Sequence, residues 1–176
     1  MITKSLVPFV KTETPMIDLS VKVDRRGDFL VLRYQMTGAI ESVLMAECEF
    51  SIRRMRLWET TCFECFFGVP GQDWYWEVNL STAGHWNVFK LDDYRSGLRE
   101  ELAIEELTIL IDRSVFSLET ELDLSLLGLE TCDLELSGTA VMADRLGEIS
   151  YWAVCHGGAE ADFHLRDSFV MQMNLV

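Results

Sequence analysis

Apolar and polar side chains alternate with a period of two in one segment of this sequence after another. In FLVLRYQM (29–36), Leu30, Leu32, Tyr34 and Met36 fall on one face and Arg33 and Gln35 on the other. In VFSLETELDL (115–124), Phe116, Leu118 and Leu122 stand opposite Ser117, Glu119 and Glu121. CDLELSGTAVM (132–142) and FVMQMNL (169–175) repeat the pattern, with Leu134, Leu136, Ala140 and Met142 in the first and Phe169, Met171, Met173 and Leu175 in the second. Alternation of this kind specifies half-buried strands and does not fit the 3.6-residue period of a helix.

Turn-forming stretches separate these runs: DRRGD (24–28), GVPGQD (68–73), LSTAGH (80–85), DRLGE (144–148) and CHGGAEAD (155–162). Two segments admit a short helix, 93–102 and 123–130, and Gly97 interrupts the first. Many strands at roughly ten-residue spacing without long helices predict an all-β fold, an antiparallel two-sheet β-sandwich with at most one or two short helices. At 176 residues the whole chain, 1–176, is expected to form one domain.

Charge narrows the choice of partner. The formal net charge of −14 opposes both a phosphate backbone and an anionic membrane surface. No run approaches the eighteen apolar residues of a spanning helix. The opening MITKSLVPFVKTETPM lacks the sustained apolar stretch of a secretory signal, so a cytoplasmic setting is expected. The expected partner is a small molecule, with no nucleic acid and no membrane.

The stretch LWETTCFECFF (57–67) spells C-x-x-C with Cys62 and Cys65. TTCFECFFGV is rich in β-formers and ends at a Val-Pro-Gly turn, so it reads as a strand. Residues three apart on a strand face opposite ways, which separates the two thiols. A zinc site also needs two further soft ligands, and no second C-x-x-C or H-x-x-x-H is present. The five cysteines (Cys48, Cys62, Cys65, Cys132 and Cys155) therefore read as packing residues, with no metal and no disulfide framework.

Glu64 is the more informative residue, because a carboxylate in the middle of an apolar strand is costly unless it has a use. WYWEVNL (74–80) places Tyr75, Glu77 and Asn79 on one face and Trp74, Trp76, Val78 and Leu80 on the other. A hairpin across GVPGQD would set Glu64 on the face of Glu77 and Asn79. Two acids and an amide would then stand among aromatic residues, an arrangement suited to a hydroxyl-rich ligand stacked on a ring. Trp58, flanked by Arg53, Arg54, Arg56 and Glu59, reads as a rim residue at the entrance to this strand. Further on, Trp152 alternates with Tyr151, sharing its face with Ser150, Val154 and His156.

Three blocks carry a resemblance: LWETTCFECFF, WYWEVNLSTAGHWNVFKLDDYRSG and ISYWAVCHGGAEADFHLRDSFVMQM. In that order, over roughly Leu57 to Met173, they resemble the bacterial DOMON-like proteins related to family 9 carbohydrate-binding modules. The resemblance implies a jelly-roll-like two-sheet sandwich whose concave face holds a small ligand. In the family 9 modules that ligand is a sugar clamped between two aromatic side chains. Trp58 matches one clamp aromatic, Glu64 the acid on the following strand and Asn79 an amide on the next. Glu77 falls where those modules carry an arginine, so the charge is reversed. The second clamp aromatic falls at or beside Phe163, with His164 adjacent.

The expected function is thus non-catalytic binding of a small ligand, a carbohydrate or similar polyol, through Trp58, Glu64, Glu77, Asn79, Phe163 and His164. Catalysis is not expected: neighbouring-strand carboxylates tend to share a proton, and no nucleophile motif accompanies them. No cofactor is expected. The resemblance also carries an alternative, since other DOMON domains bind haem through Met, His or Lys. The candidates for that role are the methionines and His85, His156 and His164. A third reading is an interaction domain that uses its acidic surface and holds no small ligand.

Overall fold

A computed structural model describes residues 1–10, 15–47 and 50–175; Cys48 lies outside them. Among the described residues the chain forms strands β1 (Ile2–Pro8), β2 (Ile17–Arg26), β3 (Phe29–Gly38), β4 (Cys62–Gly68), β5 (Tyr75–Ser81) and β6 (Trp86–Leu91). It continues through β7 (Arg99–Glu100), β8 (Ile109–Asp112), β9 (Ser117–Asp123), β10 (Leu134–Ala143), β11 (Ile149–Ala153) and β12 (Met171–Met173). Helical structure is limited to single 3₁₀ turns at Ile40–Ser42, Leu57–Glu59, Leu124–Leu127 and Arg166–Ser168. No helix among them is long and apolar enough to cross a membrane. Of the two segments that admitted a helix, 123–130 holds one 3₁₀ turn, capped by the Asp123 side chain. The other, 93–102, is a turn followed by the short strand β7.

All pairing between these strands is antiparallel, and the expected pair of separate sheets is one hydrogen-bonded ladder. Its order is β7-β6-β5-β4-β10-β11-β1-β2-β3-β9-β8, with β12 beside β10. The join lies in β1. Ile2 to Leu6 pair with β2, whereas Val7 and Pro8 pair with β11. The N–H of Phe9 then donates to the Tyr151 carbonyl (2.8 Å), which fixes the crossover.

The ladder curls until its two halves face each other. The Tyr34 hydroxyl of β3 donates to the Glu64 carbonyl of β4 across the interior. The Phe63 ring lies 5.1 Å from that of Tyr34 and 5.4 Å from that of Phe116. Gly138 of β10 is required where the halves approach, because a Cβ there would stand 2.6 Å from Cγ1 of Val21. This interior is apolar, with Leu19, Val21, Leu32, Phe63, Phe67, Trp76 and Val78 in one cluster. Burial of that area is the main term holding the curl together.

Strands β4 and β5 are buried along their whole length, on both faces. The outer face carries a second, smaller cluster in which Leu57, Phe163 and Phe169 from flanking loops pack on Phe66, Tyr75, Phe89 and Val141. Cys65 belongs to the interior cluster and Cys62 to the outer one, so strand alternation does separate the two thiols. Both are free, as are the half-buried Cys132 and Cys155.

Candidate functional site

The hairpin β4–β5 forms in the register expected from its turn. Glu64 stands opposite Asn79 and Phe66 opposite Glu77, which puts both acids and the amide on the outer face. Glu64 and Glu77 are diagonal neighbours there, about 7–8 Å apart at the backbone. Each is almost fully buried, with 3% and 5% of its surface exposed. Their situations differ. Glu77 Oε1 accepts a hydrogen bond from Asn79 Nδ2 at 2.7 Å, whereas Glu64 Oε1 has no protein partner.

A cavity of about 390 Å³ opens above this pair, a size that suits a small-molecule ligand. Glu64, Phe66, Glu77, Leu91 and Val141 form its floor. Trp58, Arg95 and Leu98 stand on one side, and Tyr151, Ala161, Phe163 and His164 on the other. Trp58 is half-buried in the 3₁₀ turn that leads into β4, its ring edge-on to Phe89 at 5.8 Å. Phe163 is nearly buried, touching Tyr151 (6.0 Å) and Phe66 (6.3 Å). A wider cavity of about 700 Å³ lies beyond Tyr151, but of its charged residues Arg145 and Glu148 are exposed and Asp144 is half-buried. Its buried polar side chain, Ser150, already bonds the Met142 carbonyl and the Trp152 indole.

Asp162 ties the two rims together. It accepts from Arg95 Nη2 (2.9 Å), from the Tyr94 hydroxyl and from the backbone N–H of His164 (2.9 Å). Arg95 sits in left-handed backbone, φ 50°, within a turn closed by the Ser96 N–H on the Asp93 carbonyl (3.0 Å). That conformation is uncommon for a residue with a Cβ, and it brings Arg95 to the rim of the cleft, where Asp162 holds its guanidinium.

Electrostatics follow from this burial. Loss of water, and then the charge of Glu77, push the Glu64 carboxyl well above the usual carboxylate range. Burial raises Glu77 to about 7, against the opposing effects of the Asn79 hydrogen bond and the Arg95 charge. Burial and Arg95 lower His164 to about 4, and burial raises Tyr75 to about 12. At neutral pH His164 is therefore uncharged and Tyr75 protonated. The Tyr75 hydroxyl and His164 Nδ1 are hydrogen-bonded to each other at 2.8 Å.

Five of the six residues singled out in the sequence, Trp58, Glu64, Glu77, Phe163 and His164, line this cavity. Asn79 lies beneath it, fully buried, and holds Glu77 in place. Sequence reasoning missed Arg95, Leu98, Phe66 and Tyr151. Alternation carried a signal for two of them: Phe66 shares a strand face with Glu64, and Tyr151 points away from the interior residue Trp152. Tyr151, 43% exposed, offers more ring to solvent than Phe163 at 8%. Of the three histidines only His164 reaches the cleft. His156 packs on Phe9 (5.2 Å) with Nε2 at the Val7 carbonyl (2.9 Å), and His85 lies in the β5–β6 turn. Met171 and Met173 belong to the interior cluster.

No family model matches the sequence, and no curated protein is significantly similar to it. Among solved structures, the chain is similar to a Bacteroides uniformis protein provisionally described as carbohydrate-binding. The TM-score is 0.70 at 16% identity, over 94% of this chain and 83% of that one. Identity this low shows a shared fold: the curled all-β architecture described above is that of a protein already seen in a crystal.

Proposed function

We propose that the protein is a non-catalytic binder of a small polyhydroxylated ligand, a carbohydrate or similar polyol, held in the cleft between Trp58 and Phe163. One observation carries this reading. Glu64 lines a cavity that also carries aromatic side chains, and its carboxyl holds a buried oxygen, Oε1, with no partner in the protein. A buried polar atom left unpaired costs about 1–3 kcal/mol, so the site is built for a hydrogen-bonding partner that arrives with a ligand. The rings of Trp58 and Tyr151 supply flat apolar surface for the C–H face of a sugar.

The fold likeness to a protein provisionally described as carbohydrate-binding agrees with this reading. So does the resemblance to DOMON-like proteins and family 9 modules, and we read the curled ladder as the two-layer sandwich of that group. The facing of its halves across Phe63, Tyr34 and Phe116 supports this. The placement of the carboxylates supports a binding role without catalysis. Both carboxylates rise from one wall, on adjacent strands, whereas glycosidase pairs flank the scissile bond from two sides.

Calorimetric titration of mono- and disaccharides tests the proposal, with Trp58→Ala and Glu64→Gln as variants. Each variant is expected to weaken binding about tenfold or more, the equivalent of about 1.4 kcal/mol. Variants that bind every sugar as the parent protein does would overturn the proposal.

A further inference from the structure

The polar groups on the floor of the cleft are two carboxyls. Glu64 Oε1 is free, Glu77 Oε1 is engaged by Asn79, and no cationic side chain lies between them. Two carboxylates buried side by side cannot both carry charge without a counter-cation. The guanidinium on the lining, that of Arg95, is held at the rim by Asp162. Around this floor stand the rings of Trp58, Phe66, Tyr151 and Phe163, whose π faces attract a cation that has left water. The strongly negative chain adds a long-range field of the same sign.

Resting on the sugar-binding reading above, we infer that the ligand carries an ammonium group beside its hydroxyls, an amino sugar or aminopolyol whose nitrogen docks on the Glu64 carboxyl next to Glu77. The ammonium supplies a strong donor to the Glu64 carboxyl and sets a positive charge at the pair itself, where Arg95 acts only from the rim, through charge-assisted hydrogen bonds. A neutral sugar supplies the donor alone.

The groups facing the pair are Cys62 on β4, Tyr75 on β5, Arg95 on the 92–98 turn, and Asp162 and His164 on the loop bearing Phe163. The floor positions of β6 and β10 are the apolar Leu91 and Val141. At neutral pH the free protein retains a proton on the carboxylate pair, and an arriving ammonium displaces it. Binding of such a ligand therefore releases protons and strengthens as pH rises from 5.5 to 7.5.

Calorimetry at pH 7 with glucose, glucosamine and 6-amino-6-deoxyglucose, in buffers of low and high ionisation enthalpy, tests this directly. At least one amino sugar is expected to bind about tenfold or more tighter than glucose, with proton release that glucose does not cause. Glu64→Gln is expected to abolish the preference and the proton release. Glucose bound as tightly as both amino sugars, without proton release, would overturn this inference and leave the sugar-binding proposal standing. No binding of any of the three would overturn both.

Discussion

Strands β4 and β5 present two faces that differ in everything except their backbone. Inward, Phe63, Cys65, Phe67, Trp76, Val78 and Leu80 are fully apolar and pack against the opposite half of the ladder. Outward, Cys62, Glu64, Phe66, Tyr75, Glu77 and Asn79 intersperse polar groups with apolar ones at comparable burial. The inner face is closed and satisfied. The outer face is equally shielded from water but contains a cavity and an unpartnered carboxylate oxygen. Burial alone thus does not distinguish core from site; what distinguishes them is whether the buried groups complete one another.

The largest effect is expected on the closed face. Phe63→Ala should remove about 3–5 kcal/mol of stability in urea unfolding, because the Tyr34 and Phe116 rings cannot collapse into the gap. A loss under about 1 kcal/mol would mean that the halves do not pack as described.

The outer face should respond with the opposite sign. At pH 8, Glu64→Gln should raise the free energy of unfolding by about 1–3 kcal/mol, since a carboxyl ionised in the unfolded chain must shed its charge or bury it on folding and an amide does neither. The gain should vanish near pH 4.5, where the carboxyl is already protonated. The parent protein should follow the same logic. Burial raises the folded-state value of Glu77 from 4.5 to about 7 and that of Glu64 well above the usual range. Their contribution is therefore fully present below the unfolded value; the Glu77 part is lost as pH rises through about 7, and the Glu64 part as pH rises through its own raised value. Unfolding curves at pH 4.5, 6 and 8 should show falling stability, whereas a rise across this window would place both carboxylates in contact with water or a cation.

Trp58→Ala lies further down the scale. Its half-buried ring should cost only about 1–2 kcal/mol of stability while removing one side of the cleft, so binding falls far more than folding. The smallest effect belongs to Asp162→Asn. The partly exposed Arg95–Asp162 pair should contribute under about 1 kcal/mol. Hydrogen exchange should nevertheless speed up at 93–96 and 161–164, because the two rims lose their tie.

What could be read from the sequence follows the same division. The hairpin register, the separation of Cys62 from Cys65, and the grouping of Glu64 with Glu77 all follow from a period of two across one short turn. Strands β1 and β2 were not read, although Ile17, Leu19, Val21 and Val23 alternate cleanly and bury their side chains. The joining of two expected sheets into one ladder was hidden, because a strand's own residues do not say where it changes partner. Arg95 was hidden for a related reason. It lies in a segment that admitted a helix, and its left-handed turn and the distant Asp162 together bring it to the cleft. Periodicity assigns residues to faces; it does not reveal which loop folds over a face.

The five tryptophan indole N–H groups offer the most direct test, because they sample both faces at once. In a two-dimensional NMR titration with glucose and amino sugars, the Trp58 resonance should shift and saturate, together with backbone amides of Glu64, Glu77 and Phe163. The interior Trp76 resonance should stay fixed. Saturable shifts confined to other surfaces, or none with any of these sugars, would contradict the assignment of the outer face of β4 and β5 as the binding site.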